Sequence, residues 1–379
     1  MQVVGIVCEY NPFHNGHAKQ LAAVADAKLC LMSGNYVQRG EPAILDKMTR
    51  AEAAVRCGAD LVLELPLTYA LRSAEGFAAG GVELMDRLGC VDAICFGSES
   101  GDVQQLMNTA VALLDPAFPT YLKEQLARGL SFPAARAKAV EAMGKDASLL
   151  EQPNDILAVE YCKALLRRRS GIRPVTVRRA GDYHGGCDAE NPSASFLRGQ
   201  ADWAGFVPPA ALDCCAAAPR HSAVAGERAW LARLRGMEEA DFEQLPYGSE
   251  GLWRKVMHAC RSESTLSDIV AAAKSKRYTH TRLTRILMCA YLGISRKLLE
   301  AEAPYVRVLA MNDRGRAVLR QMHEVSTVPV IHAGQTPPAG EYAALERRAE
   351  DLYGLFCVDS VDIPGKKRQE RVIYCPPCD

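Results

Sequence analysis

The sequence lacks an apolar run of about 18 residues, the length that a membrane-spanning helix requires. It also lacks a positively charged start followed by an apolar segment, which is the pattern of a secretory signal. Its 45 basic and 45 acidic residues leave no net charge, which excludes an overall cationic field but not a local basic patch. We therefore expect a soluble, cytoplasmic protein.

Two kinds of site are also missing from the sequence. The fourteen cysteines are scattered, and the single C-x-x-C pair, Cys375 and Cys378, has no second pair at zinc-binding spacing. The sequence thus predicts no structural metal. A G-x-x-x-x-G-K-[ST] loop is absent as well, which excludes the usual cradle for transfer of a γ-phosphate.

Short apolar runs alternate with helical patterns in the first part of the chain. The runs, rich in Val, Ile and Leu, are Val3–Cys8, Leu29–Met32, Leu61–Leu65 and Ala93–Phe96. The helical patterns cover His17–Ala25, Lys47–Cys57, Ala70–Leu88 and Asp102–Leu114. Strands buried on both faces have this composition, and strand–helix alternation indicates right-handed crossovers. The fold class predicted is therefore α/β, with a Rossmann-like parallel sheet.

The second part of the chain has a more helical character. The last elements of the first part are a helix at Asn154–Arg168, a strand at Pro174–Arg179 and a helix start at Ser195–Arg198. Further helices are predicted at Leu266–Ala273, Thr281–Leu292 and Arg314–Met322. A Pro- and Ala-rich stretch after residue 200 suggests a boundary. We predict a catalytic domain at 1–205 and a mainly α-helical domain at 206–379.

The turn after the first strand carries the clearest chemical signal. His14-Asn15-Gly16-His17 follows a buried strand and precedes a helix, whose free N–H groups favour an anion. Gly16 removes a Cβ where a phosphate must approach the backbone, and the two imidazoles can stabilise charge on a phosphoryl group. The alternative is that both histidines only pack or cap the helix. The position between strand and helix favours a site for the α-phosphate of ATP.

A second phosphate-binding element is predicted far along the chain. Ser193, Ser195 and Arg198 place two hydroxyls and a guanidinium at a helix start, where they suit the β- and γ-phosphates. By themselves they also fit an ordinary N-cap serine and a surface arginine. Combined with the histidine turn, they favour a nucleotide site.

The H-x-G-H turn and the later S-x-S-x-L-R element resemble the nucleotidylyltransferase superfamily. Longer blocks resemble the bacterial tRNA(Met) cytidine acetate ligase family. These blocks are Glu9–His17, Met32–Ala43, Gly58–Pro66, Cys95–Glu99, Pro153–Leu157, Tyr183-His184 and Ser275–Thr279. They are dense over the first 200 residues, and the first two are specific.

The resemblance implies an enzyme that joins acetate to ATP as acetyl-adenylate. The acetyl group then passes to the N4 amine of the wobble cytidine of elongator tRNA(Met). Catalytic roles fall to His14, His17 and Arg198. The ATP-binding residues would be Val7, Cys8, Glu9, Tyr10, Asn11, Pro12, Phe13, His14, Asn15, Gly16, His17, Ala18, Lys19, Gln20, Gly97, Asn154, Ser195 and either Arg178 or Arg179. An acidic residue that often follows the Tyr-His pair in the family is replaced here by Gly185-Gly186.

Charge stabilisation in such a site would also involve Mg²⁺ on the pyrophosphate. Glu64 and Glu99 end buried strands and are possible metal or acceptor-orienting groups. Lys47 and Arg50 share one face at a helix start, where they either add positive charge near the acceptor or form a solvated surface.

A basic run supplies the expected RNA surface. Lys274, Lys276, Arg277, Arg282 and Arg285 are interleaved with a Tyr and a His, a composition suited to phosphate contacts and base stacking. The alternative is the charged face of an amphipathic helix. Two other functions stay open: an adenylyltransferase acting on a phosphorylated small molecule, and an RNA-binding protein with a vestigial nucleotide site.

Overall fold

A computed structural model describes residues 1–179, 188–359 and 371–376. Its strands are β1 Val3–Cys8, β2 Ala27–Ser33, β3 Tyr36–Val37, β4 Glu41–Pro42, β5 Leu61–Leu65, β6 Ala93–Ser98, β7 Arg173–Arg178, β8 Val306–Met311, β9 Val330–His332 and β10 Ile373–Tyr374. The four runs expected as buried strands are thus confirmed, as β1, β2, β5 and β6.

Helices fill the connections between the strands. Those of the first half are α1 Asn15–Ala22, α2 Lys47–Arg56, α3 Leu67–Ala70, α4 Ala74–Leu88, α5 Val103–Leu114, α6 Phe118–Ala127, α7 Phe132–Ala142, α8 Pro153–Arg168 and α9 Ala194–Arg198. Those of the second half are α10 Pro209–Ala216, α11 Glu227–Arg235, α12 Glu239–Glu243, α13 Leu252–Ser262, α14 Leu266–Ala273, α15 His280–Leu292, α16 Arg296–Glu300, α17 Asp313–Val325 and α18 Glu341–Tyr353.

The main sheet has the strand order β10-β8-β5-β2-β1-β6-β7, with β9 also paired to β8. From β5 to β7 the pairing is parallel, and β8 runs antiparallel to β5. The order reverses between β1 and β6, because β2 lies on one side of β1 and β6 on the other. In a doubly wound sheet, ligands bind outside the carboxyl ends of the strands at this reversal.

Two apolar layers cover the faces of the sheet. Leu29, Leu31 and Leu63 pack with α4 and α8 on one face, and Cys30, Met32 and Val62 pack with α1 and α2 on the other. A third cluster, centred on Trp230, Ile286 and Phe356, forms the core of the helices α11–α15 and α18. This arrangement confirms an α/β fold with many helices in the second half.

Several predicted boundaries were wrong. The segment predicted as one helix at Ala70–Leu88 is divided into α3 and α4, because Ser73 caps α4 by accepting a hydrogen bond from the N–H of Gly76. The strands β8, β9 and β10 in the second half were not predicted from the sequence. Those strands join the same sheet as β1, so the division at residue 205 stays a prediction.

Candidate nucleotide-binding site

The turn after β1 leads directly into a helix. Val7 and Cys8 end the strand, and α1 begins at Asn15 with His14 as its extended N-cap residue (φ −152°, ψ 173°). The helix was expected to begin at His17, which instead lies in its first turn. The start of α1 therefore belongs to the turn itself, at the sheet edge where ligands bind, although the N–H groups of Asn15 and His17 already donate to the carbonyl oxygens of Phe206 and His14.

The imidazoles of His14 and His17 are stacked, with ring centroids 3.6 Å apart and planes 23° from parallel. Nδ1 of His17 accepts a hydrogen bond from the backbone N–H of His14 at 3.3 Å. A neutral imidazole that accepts at Nδ1 carries its proton on Nε2. Nε2 of His17 is therefore the atom that can donate to a ligand.

Both imidazoles are neutral at physiological pH. Burial and, to a smaller extent, the nearby Arg179 lower the pKa of His14 to about 3. Burial also places the pKa of His17 well below its ordinary value, with smaller contributions from His14 and Arg179. The pair can thus donate hydrogen bonds to a phosphoryl group without holding a fixed charge.

Neighbouring side chains hold the histidine pair in place. The rings of Tyr10 and Phe13 lie 4.9 and 5.6 Å from that of His17. A Cβ on Gly16 would lie 3.1 Å from Cε1 of His14, so this glycine makes room for the imidazole. The predicted reason for Gly16 was the approach of a phosphate, and the structure gives the histidine ring as its neighbour instead.

The later serine–arginine element reaches the same turn. Nη1 of Arg198 donates to the carbonyl oxygen of Asn11 at 3.0 Å, and its Nη2 donates to Oγ of Ser195 at 3.1 Å. Ser193 caps α9 through the N–H of Phe196, and Asn15 donates to the carbonyl oxygens of Ala189 and Gly205. Two elements separated by almost half the chain are thus brought together, as the nucleotide-site hypothesis requires.

The remaining predicted nucleotide contacts gather at the end of β6. Nη1 of Arg179 donates to Oδ1 of Asn154 at 3.0 Å, and its Cδ would lie 3.0 Å from a Cβ on Gly97. Arg178 instead packs beside Gly101. Arg179 is thus the arginine beside Asn154 and Gly97, and it contributes to the lowered pKa values of both histidines.

Glu99, just after β6, has a structural role at the start of α8. Its Oε1 accepts from the backbone and side-chain N–H groups of Asn154 at 3.2 and 2.6 Å, and its Oε2 accepts from the N–H of Asp155 at 2.7 Å. Asp155 in return accepts from the N–H groups of Glu99 and Ser100. Glu99 therefore caps α8 and positions Asn154, and the expectation that it binds metal does not fit its occupied oxygens.

Comparisons with known proteins identify relatives of this chain. Residues 1–368 match the model of the HIGH Nucleotidyl Transferase family. The tRNA(Met) cytidine acetate ligase of Clostridium novyi is 36% identical over 87% of this chain and 89% of its own length, and that of Alkaliphilus metalliredigens is 35% identical over 97% of each. The crystal structure of Thermotoga maritima TmcAL bound with alpha-thio ATP superposes with a TM-score of 0.88 at 29% identity, covering 100% of both chains.

This chain belongs to the tRNA(Met) cytidine acetate ligase family. Its membership confirms the resemblance seen in Glu9–His17 and the later blocks. One of those blocks, Tyr183-His184, lies outside the described residues, as do Gly185-Gly186 and Cys378.

The basic run of this ligase spans the loop after α14 and the first turns of α15. Lys274, Lys276 and Arg277 are exposed there. Arg282 is half-buried, because its guanidinium donates to the carbonyl oxygen of Tyr247 and stacks over the ring of Tyr278. Arg285 was expected on this surface, and that expectation is wrong because its side chain is buried against Tyr247.

Lys47 and Arg50 are both buried, so the alternative of a solvated helix surface is wrong. Nζ of Lys47 contacts both carboxylate oxygens of Glu64, at 3.0 and 2.9 Å, and Oε1 of Glu350 at 2.5 Å. The guanidinium of Arg50 donates to the carbonyl oxygens of Leu45, Glu9, Ser33 and Gly34. Arg50 thereby ties the carboxyl ends of β1 and β2 together. Glu64 is engaged by lysine and does not fit the metal role suggested for it.

Proposed function

We propose that this chain activates acetate with ATP and transfers the acetyl group to N4 of the wobble cytidine of elongator tRNA(Met), in the cytoplasm. The observation that carries the proposal is the stacked, neutral pair of His14 and His17, with Arg198 brought onto the same turn. The proposal is supported by the relatives of this chain, which are named tRNA(Met) cytidine acetate ligase.

In the first step, an acetate oxygen attacks the α-phosphorus, and the bond to the β-phosphate breaks. Negative charge builds on the phosphoryl oxygens, so stabilisation of charge matters more than movement of protons. We assign Nε2 of His17 and the imidazole of His14 as hydrogen-bond donors to the α-phosphate. Arg198 and Ser195 suit the leaving pyrophosphate, and Gly97, Asn154 and Arg179 suit the nucleoside side of the site.

The residues described offer Mg²⁺ no ready set of protein ligands. No group of three or more His, Cys, Asp or Glu side chains that suits a metal occurs among them. Glu64 is paired with Lys47, and Glu99 is occupied by the start of α8. We therefore propose that Mg²⁺ belongs to the ATP phosphates, where the ion supplies countercharge to the pyrophosphate.

Acetate-dependent exchange of pyrophosphate into ATP, measured without tRNA, tests this proposal. We expect exchange to require acetate and to proceed in the absence of RNA, because adenylate formation precedes transfer. Exchange that ignores acetate and requires a phosphorylated small molecule would instead support the adenylyltransferase alternative. Binding of tRNA without any exchange would support a vestigial nucleotide site.

In the second step, tRNA must dock beside the nucleotide turn. The exposed basic loop between α14 and α15 carries the positive charges for contacts with the phosphate backbone of the tRNA. We expect the double variant Lys276→Ala/Arg277→Ala to weaken tRNA binding without changing exchange. Affinity falls as the salt concentration rises, and each lost phosphate contact makes the slope of log affinity against log salt concentration shallower by roughly one. Affinity measured over a series of salt concentrations checks this result.

The matched control is Lys123→Ala, which removes an exposed charge from α6. It should leave the salt dependence unchanged. An equal effect of the control, or an unchanged slope in the double variant, would show that the α14–α15 loop is not the RNA surface.

No helix of the described residues is long and apolar enough to cross a membrane.

A further inference from the structure

The carboxylate of Glu9 lies at the junction between the nucleotide turn and the basic helix α15. Glu9 directly follows β1 and precedes the turn that carries His14. Its Oε1 accepts a hydrogen bond at 2.6 Å from the backbone N–H of Gln38, at the tip of the β3–β4 hairpin. Among the described residues, the backbone N–H of Gln38 is the hydrogen-bond donor to the carboxylate of Glu9.

The hairpin tip is in turn fixed to α15. Oγ1 of Thr284 donates to the carbonyl oxygen of Arg39 at 2.5 Å, and Nη1 of Arg285 donates to that of Gln38 at 3.4 Å. Gly40 has φ +79°, and a Cβ there would lie 2.6 Å from the backbone nitrogen of Arg285. The helix that continues the basic run therefore rests on the same hairpin that contacts Glu9.

Burial raises the pKa of Glu9 above its ordinary value, although the hydrogen bond from Gln38 and the nearby Arg198, Arg50 and Arg39 oppose this shift. A carboxylate with a raised pKa is a stronger proton acceptor than an exposed one. Tyr161 of α8 and Cys8 of β1 also face this region. Arg50 uses its guanidinium on four backbone carbonyls, one of them that of Glu9 itself, so it does not neutralise the carboxylate by direct pairing.

A carboxylate is the wrong group for the first reaction step. Acetate and the phosphates of ATP are anions, and an unpaired carboxylate beside them is repulsive. A phosphorylated acceptor would meet the same repulsion. The exocyclic amine of cytosine is a hydrogen-bond donor, and carboxylates are the side chains that accept from that N4 group.

We propose that Glu9 receives the N4 amine of the acceptor cytidine and takes a proton from it during acetyl transfer. This assignment rests on the proposed function and gives it an acceptor-side catalytic residue. The N4 lone pair attacks the carbonyl carbon of acetyl-adenylate, a C–N bond forms, and the C–O bond to AMP breaks. AMP leaves with the bonding electrons, and the amine proton moves to the carboxylate and then to water.

Glu9→Gln is a substitution that removes the proton acceptor and keeps the neighbouring structure. Glu9→Gln retains a side-chain oxygen that can accept from the N–H of Gln38, so the hairpin contact survives while the proton acceptor is lost. Because Glu9 is also among the predicted nucleotide contacts, the measured quantity is the loss of transfer relative to the loss of acetate-dependent exchange, and we expect transfer to fall much more than exchange. Single-turnover transfer to tRNA should fall by about 10²-fold, the lower end of what general-base catalysis contributes.

The matched control is Glu52→Gln, a glutamate of α2 that pairs with Arg56 on the surface and should affect neither step. A second readout is the pH dependence of transfer. In the unaltered protein the transfer rate falls as pH falls through the pKa of Glu9, and this acidic limb disappears in Glu9→Gln. The charged and titratable groups around Glu9, namely Arg39, Arg50, Arg198, Tyr161 and Cys8, are unchanged in the variant.

The outcomes separate the two proposals. Equal losses in exchange and transfer would overturn the assignment and place Glu9 in nucleotide binding. Normal transfer by Glu9→Gln would overturn it as well, since the amine would then lose its proton elsewhere. Absence of acetate-dependent exchange in the unaltered protein would overturn the proposed function itself, and this assignment with it.

Discussion

We expect His17→Ala to lower acetate-dependent ATP–pyrophosphate exchange by about 10³-fold, the upper range for loss of one preorganised donor to a developing oxyanion. The reason is the tautomer that the structure fixes. Nδ1 of His17 accepts from the N–H of His14, so Nε2 carries the proton and burial keeps the ring neutral. Exchange measured without tRNA reports this loss directly, because it involves only adenylate formation.

Alanine also removes the acceptor for the N–H of His14, so a second variant must separate the two effects. His17→Asn can still accept that hydrogen bond but cannot donate from the position of Nε2. We expect the asparagine variant to be as defective as the alanine variant, with tRNA affinity unchanged in both. His323→Ala, at an exposed histidine of α17, is the control. Near-normal exchange by His17→Asn would mean that His17 only caps the helix.

The histidine turn could be predicted because its evidence is local. A buried strand, a turn containing His14, Gly16 and His17, and a helix follow one another within a single stretch of chain. Neutral stacking of the two rings was not visible, because it depends on burial by residues such as Tyr10. Local sequence therefore predicts the turn between strand and helix, but not the protonation states of its histidines.

Contacts between distant segments set the limit of the prediction. Arg198 meets Asn11 across 187 residues, and only the completed fold could show that Arg179, not Arg178, donates to Asn154. The strand β8 was missed although it is apolar, because its antiparallel pairing with β5 joins segments that local patterns cannot relate. Glu9 was expected only as one of the nucleotide contacts, since its hydrogen bond to Gln38 appears only once the hairpin is folded.

Burial of charge was the hardest feature to predict. Lys47 lies on a helix that also carries Glu52 and Arg56, which looks like an ordinary charged surface. Its partner Glu350 lies 303 residues further along the chain. Arg285 shows the same limitation, because its place in a basic run suggested exposure while the hairpin tip covers it.

The second large effect is expected for Lys47→Met, which should lower the free energy of unfolding by about 3–5 kcal/mol at neutral pH. The ammonium of Lys47 lies between Glu64 and Glu350, and removing it leaves carboxylates without their shared cation. Burial by itself lowers the pKa of Lys47, but Glu350 and Glu64 raise it above its ordinary value overall. The lysine is therefore charged in the folded protein, and denaturant unfolding measures its loss.

The defect of Lys47→Met should shrink as pH falls from about 8 to about 5. Burial raises the pKa of Glu64, and loss of the lysine raises it further in the variant. A carboxyl whose pKa is higher in the folded than in the unfolded state binds more protons when folded. Its charge destabilises the fold at high pH, and this destabilisation is relieved as pH falls through the folded-state pKa. Unfolding curves at several pH values check this sign.

The comparison that isolates charge is the double variant Lys47→Met/Glu64→Gln. Neutralising Glu64 should recover part of the lost stability and weaken the pH dependence, because less uncompensated charge stays buried. Lys138→Met, which breaks an exposed pair with Glu141, should change stability by no more than about 0.5 kcal/mol. A loss below about 1 kcal/mol for Lys47→Met, independent of pH, would contradict the role of buried charge.

The same measurement tests how the two halves of the chain are joined. Lys47 and Glu64 belong to the half with the histidine turn, while Glu350 lies on α18 and Arg307, which pairs with Glu346 and approaches Glu64, lies on β8. Because β8 also pairs with β5 in one sheet, the halves stay coupled without Lys47, and the Lys47→Met variant should still unfold in one transition at a lower denaturant concentration. Two separate transitions in the variant would mean that the halves fold as independent domains once Lys47 is removed.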